Sequence, residues 1–255
     1  MDFNLFNSKR YFYHYTKFCS GLKILNSMTL LFHKLKDMND INELYRPLYF
    51  DDFKDKSRAK RELECLLQIS LTQDGRLRGF DIPAMWGHYA EDGNGVCLIL
   101  DREKVISSLT SETDYKGPIE YIDDYTSDIH IRKIKEEMAP FDDEEIMEYF
   151  FRKSYDWSYE QEFRILKRSE KKDLFKLDIS DSFVGVVMHR DKNQENKDDS
   201  VFNSDNYKLL SSIIGADKVL VYGYGLGQRG LIDREGWELW NTENKPYGEL
   251  CIKIA

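Results

Sequence analysis

Apolar positions in this chain come in short runs that alternate with polar ones more often than they follow a helical period. In YFYHYT (11–16) a strand would put Phe12, His14 and Thr16 on one face and Tyr11, Tyr13 and Tyr15 on the other. FCSGLKILNS (18–27) predicts a short helix, and MTLLF (28–32) a second strand. SRAKRELECLL (57–67) has a helical pattern and runs into the extended LQISLT (67–72). GVCLILD (95–101) predicts a buried strand bounded by Gly95 and Asp101. The charged segment 129–153 predicts helix with a break near Pro140. Strands follow at EQEFRIL (160–166), FKLDI (175–179), FVGVVMH (183–189) and KVLVYGY (218–224), with a helix at NYKLLSSIIG (206–215) and a closing strand at GELCIKI (248–254). DKNQENKDDS (191–200) reads as a surface loop, and FDDEEIME (141–148) as a solvated helix face. Many short strands, few helices and no regular βαβ alternation predict an α+β fold of mixed, mostly antiparallel sheets with flanking helices. No repeat or linker divides residues 1–255, so a single domain is expected.

Composition narrows the class. Hydrophobic residues at 41% with 14% aromatics predict a folded chain with a sizeable core. The 37 basic and 46 acidic residues give a net charge of −9, which does not advertise nucleic-acid binding but leaves room for a local basic patch. Cys19, Cys65, Cys97 and Cys251 are far apart and form no CxxC pair. They read as buried free thiols in a reducing compartment rather than as a zinc set or a disulfide framework. No signal pattern and no membrane-length apolar run is evident, so a cytoplasmic protein without a membrane partner is expected.

Three motifs carry candidate chemistry. Gly225, Gly227 and Gly230 match GxGxxG after an apolar strand, but EGWELWN and a terminal strand follow in place of a βαβ unit. These glycines therefore read as a turn. His14 and Thr16 share a strand face just before a helix, where polar groups can converge on a ligand; a satisfied histidine among aromatics is the bland alternative. In SYDWSYEQEFRIL (154–166), strand alternation would align Ser158, Glu160, Glu162, Arg164 and Leu166. That face is either a wet surface bearing a weak ion pair or an active-site wall with two carboxylates flanked by Trp157 and Tyr159.

Taken in order, several stretches resemble a widespread uncharacterised bacterial domain family. His14-Tyr15-Thr16 resembles its opening H-Y-T, and Asn39-Asp40 with Glu43 its N-D-x-x-E. Ser70 stands at the end of its middle strand, as Ser70-Leu-Thr72 rather than a fuller Ser-Thr-Ser motif. Trp86 and Tyr89 with Gly95-Val-Cys97, and Lys153 with Trp157, Glu160, Glu162 and Arg164, resemble its remaining marks. The matches run from about residue 11 to 166, and residues 167–255 are expected to complete the sheet core. The family is in turn similar to the ADP-ribosyltransferases, including nucleic-acid-modifying toxins.

That resemblance implies an NAD-dependent ADP-ribosyltransferase, with NAD as co-substrate, no metal, and RNA or DNA favoured over protein as acceptor. Glu162 and Glu160 would be catalytic, the first offsetting the cation that grows on the ribose, the second taking the nucleophile's proton. His14, Thr16, Ser70 and Arg164 would bind or frame the cofactor, and Trp86 or Tyr89 would stack on nicotinamide. Asn39, Asp40 and Glu43 would cap the next element or reach the acceptor. SRAKR (57–61) and Arg76/Arg78 are candidate nucleic-acid contacts, and segment 129–153 a docking face for an inhibitory antitoxin. Two other classes stay open: a non-enzymatic nucleotide- or peptide-binding module, and a metal-dependent nuclease using Asp40, Glu43, Glu160 and Glu162.

Overall fold

The computed structural model describes residues 9–35, 64–109, 114–122, 142–169, 175–189, 202, 204–225, 228–232 and 238–241. The expected features at Asn39, Asp40 and Glu43, at 57–61, at 123–141, at 191–200 and at 248–254 lie outside these residues, as does Cys251.

In chain order the elements are β1 (Tyr11–Thr16), α1 (Phe18–Ser27), β2 (Thr29–Leu31), β3 (His33–Lys34), β4 (Leu66–Gln73), α2 (Pro83–Tyr89), β5 (Val96–Asp101) and α3 (Arg102–Ser108). Then come β6 (Asp114–Pro118), β7 (Glu120–Ile122), α4 (Asp143–Phe150), β8 (Arg152–Ser154), β9 (Glu162–Arg168), β10 (Lys176–Asp178) and β11 (Phe183–His189). The chain continues through α5 (Asp205–Ile214), β12 (Val219–Gly225), β13 (Gln228–Ile232) and β14 (Glu238–Asn241). The architecture is α+β with mainly antiparallel pairing, as the short alternating runs predict.

Two compact units are built from interleaved segments. The first comprises Met1–Thr29, Gln73–Ser108 and Asp178–Ala255; the second comprises Leu30–Thr72 and Leu109–Leu177.

In the first unit the strand order is β14-β13-β12-β11-β5-β1. β5 pairs antiparallel with β1, from Tyr11↔Asp101 to Thr16↔Val96, and antiparallel with β11 on its other edge. Val96 to Leu100 are fully buried, which is why this strand reads as an unbroken apolar run rather than an alternation. β11 and β12 are parallel, and α5 lies between them in sequence, as a parallel pair requires a crossover. Ser204 caps α5 by accepting from the Tyr207 amide. The glycine-rich stretch is a hairpin: Gly223↔Gly230 and Gly225↔Gln228 pair antiparallel, as expected of a turn and incompatible with a dinucleotide-binding crossover. Gly95 permits another close approach, because a Cβ there would run into the Thr16 carbonyl and the Ala90 backbone.

In the second unit β9 pairs antiparallel with both β4 and β6, and β3 adds to β4. The short β7 and β8 pair in parallel. Leu35, Leu66, Ile119, Ile146, Phe150, Phe151 and Leu166 form the core of this unit. Asp142 and Glu145 form a reciprocal capping box at the start of α4, so the acidic run there fixes a helix start as well as facing water.

Candidate functional site

The expected strand over 160–166 starts late. Residues Tyr155–Glu160 form a 3₁₀ turn, and Gln161 adopts a left-handed conformation (φ 48°, ψ 45°) before β9 begins at Glu162. Glu160 and Glu162 are therefore not alternate side chains of one strand. The turn carries Glu160 around a corner, and Lys153 on β8 gathers both carboxylates: its Nζ lies 2.6 Å from Glu160 Oε2 and 3.4 Å from Glu162 Oε2.

Nor is the face wet. The side chains of Lys153, Glu160, Glu162 and Arg164 are 7%, 6%, 3% and 1% exposed. Arg164 grips Glu162 with its forked edge, Nε to Oε1 at 2.8 Å and Nη2 to Oε2 at 2.9 Å. Its third arm, Nη1, donates to the Phe150 carbonyl at the end of α4 at 2.6 Å. Two cations and two carboxylates thus close a neutral buried network, and each charge is matched as burial requires.

Ser70 is the exposed member of the group. Its hydroxyl donates to Glu162 Oε1 at 2.7 Å and accepts from Gln68 Nε2 at 2.7 Å. It sits inside β4, opposite Arg164, rather than at a strand end. From the backbone side, the Glu162 amide donates to the Tyr121 hydroxyl at 2.8 Å. Burial pushes the Tyr121 phenol up, and the nearby Glu162 and Glu160 charges add to the shift. Burial also works against ionisation of Glu162, but the charges of Arg164 and Lys153 and the bonds from Arg164 and Ser70 outweigh it and hold the carboxyl at about 2. Glu162 is thus an anion at any physiological pH. The Lys153 ammonium also lies 4.8 Å from the Trp157 ring centre, and Trp157 and Tyr159 lean together with centroids 6.1 Å apart.

Of the residues that the sequence pattern singles out, the second unit brings Ser70, Glu160, Glu162 and Arg164 together with Lys153. The pattern misses Gln68 and Tyr121. Gln68 was legible in principle, two residues before Ser70 on the same strand; Tyr121 carried no local signal.

His14, Thr16, Trp86 and Tyr89 belong to the first unit. His14 and Thr16 are half-buried on β1. On α2, Trp86 is 3% exposed: its indole N–H donates to the Phe80 carbonyl at 2.8 Å, and Tyr222 stacks on it at 5.9 Å with rings 4° from parallel. Tyr15 and His189 meet its edges at 5.1 and 5.5 Å. Trp86 is packed as a core residue here, whereas Tyr89 is half-buried. Tyr222 donates to the buried carboxylate of Asp81. Arg76 is exposed, while Arg78 pairs with Asp74 at 3.2 Å. The described cysteines are free, with Cys97 buried and Cys19 exposed. Among the described residues no helix is long and apolar enough to cross a membrane.

No curated protein and no solved structure matches this chain. A family model described as a protein of unknown function (DUF2971) matches residues 85–165, a span that includes Trp86, Tyr89, Lys153, Glu160, Glu162 and Arg164 and less than half of the chain, so the chain is similar to that family over this stretch.

Proposed function

We propose that this chain is an NAD-dependent ADP-ribosyltransferase of the ADP-ribosyltransferase-like fold, a toxin or defence effector that modifies a macromolecule, with RNA or DNA favoured as acceptor. The observation that carries the reading is Glu162: a carboxylate kept ionised in a water-poor setting, with the exposed Ser70 hydroxyl bonded to it. Breaking the bond between nicotinamide and ribose leaves an oxocarbenium-like carbon, and a fixed anion stabilises that charge without reorganising as it forms. A carboxyl at about 2 is a poor proton acceptor, which divides the labour between the two glutamates. Glu162 offsets the cation. Nicotinamide departs with the bonding pair, the acceptor's nucleophile bonds to the ribose carbon, and its proton passes to Glu160. Lys153 and Arg164 are the positioning residues that hold the carboxylates in place.

The closed neutrality of the network favours a second reading, a non-enzymatic nucleotide-binding module in which the four charges only rigidify the fold. Labelled NAD incubated with the protein and total RNA, DNA or soluble protein separates the two. The transferase reading expects label in one pool and free nicotinamide with wild type, both lost in Glu162→Gln protein whose circular dichroism matches wild type. Binding of NAD with neither product would support the module and overturn the transferase.

A further inference from the structure

In the first unit, the residues that follow β4 form a tight turn, Asp74 to Gly79, clamped onto β1. Gly79 lies flat against the Tyr13 ring, and the Tyr15 hydroxyl donates to the Gly79 carbonyl at 2.7 Å. Asp74 is fully engaged: its Oδ1 accepts from the Gly79 amide at 2.8 Å, and its Oδ2 faces the Lys9 amide at 3.4 Å and Arg78 Nη1 at 3.2 Å. Arg78 is not. Its Nε and Nη2, the two donors of the side-on fork, are buried and have no acceptor among the described residues. That edge is the one with which Arg164 takes both oxygens of Glu162. Two parallel N–H donors of a permanent cation left empty beneath the surface are costly unless an acceptor joins them.

The surroundings suit an anion. Lys9 and Arg76 are exposed, and Arg10, its side chain 42% exposed, lies 3.9 Å from the Asp101 carboxylate. Arg102 brings its guanidinium to Gln73, next to the turn, with Nη1 3.2 Å from Oε1. In a chain of net charge −9, Lys9, Arg10 and Arg102 flank the Tyr11↔Asp101 end of the β1–β5 pair, and Arg76 stands on the adjoining turn. Only 11% of the Arg78 side chain reaches solvent, and the fork itself is buried.

We propose that the Arg78 fork is a binding site for a phosphoryl oxyanion. Two oxygens of the phosphoryl group lie in the plane of the guanidinium and accept from Nε and Nη2, while Lys9, Arg10 and Arg76 raise the local anion concentration. The site is independent of the Glu162 centre and of the transferase reading. A free phosphate or nucleotide and a nucleic-acid backbone present the same group, and the test separates them.

Thermal unfolding of the full chain is followed while sodium phosphate, sodium pyrophosphate or a short single-stranded oligonucleotide is titrated against chloride of matched ionic strength. A saturable rise in melting temperature with phosphate or pyrophosphate is expected, with apparent affinity at least about tenfold weaker in Arg78→Lys, which keeps the charge and loses the fork. A response to the oligonucleotide that is likewise lost in Arg78→Lys assigns the phosphoryl group to a nucleic-acid backbone; a response to the small anions alone assigns it to a free phosphate or nucleotide. Failure of every anion to stabilise wild type beyond chloride overturns the site, whatever the variant does. So does an equal response in wild type and folded Arg78→Lys.

Discussion

Replacing Arg164 by methionine tests the central network at its most buried member. The side chain is 1% exposed and supplies two bonds to Glu162 and one to the Phe150 carbonyl. Methionine fills much of the volume but leaves the Glu162 carboxylate with only Lys153, Ser70 and a long contact from Gln68 beside it. Breaking one side of a buried ion pair costs about 3–5 kcal/mol. For a chain of this size that is a fall in melting temperature of about 10 °C. The pH dependence makes the test specific. The Glu162 carboxyl sits at about 2, against an ordinary value of 4.5 in the unfolded chain. That gap corresponds to about 3 kcal/mol, present in full above pH ~4.5 and lost as pH falls through ~2. Without Arg164, burial, which opposes ionisation, is no longer outweighed as strongly, and the carboxyl rises toward or past its ordinary value. Wild type is therefore expected to gain stability steadily from pH 2 to 5, while Arg164→Met shows a flat profile there, so that the two differ far more at pH 7 than at pH 2. Melting by intrinsic fluorescence at half-unit pH steps reads this directly. A variant within about 1 °C of wild type at pH 7, or one destabilised equally at both ends of the range, would refute the reasoning.

Two further perturbations follow from the first unit. Tyr222→Phe removes a donor from the Asp81 carboxylate, which is 2% exposed, and should cost about 1.5–3 kcal/mol in urea unfolding while leaving circular dichroism intact; a neutral result would mean that the pair contributes nothing. Gly79→Ala puts a methyl into the Tyr13 ring, so the turn must lift from β1 and the melting temperature should drop by several degrees; an unchanged value would show that the turn is loose.

Much of the first unit was legible because its signals are local. The helix Phe18–Ser27 and the strands Tyr11–Thr16 and Phe183–His189 fall at the boundaries that the polar pattern predicts. The candidate site was legible as a list but not as an environment. One stretch of sequence names Glu160, Glu162 and Arg164, yet nothing local says that they are buried, because their charges cancel only once β4, β8 and β9 bring Ser70, Lys153 and Arg164 to one place. The left-handed Gln161 is invisible for a related reason: non-glycine residues seldom adopt positive φ, so strand alternation alone starts the strand two residues too early. Tyr121 reaches Glu162 across 41 positions, a contact no period can announce.

The interleaving of segments sets when this chain can fold. β5 holds β1 on one edge and β11 on the other, strands drawn from residues 96–101, 11–16 and 183–189. At about 5–20 residues per second, roughly 4–16 s separate the emergence of β5, which completes the pair with β1, from that of β11 at the ribosome. Through that interval a nascent chain carries an apolar strand pair with an open edge, the state in which chains recruit chaperones or pair with one another. Fragments ending near residue 100 should therefore aggregate, and activity that depends on this sheet should appear only after synthesis has passed Phe183–His189.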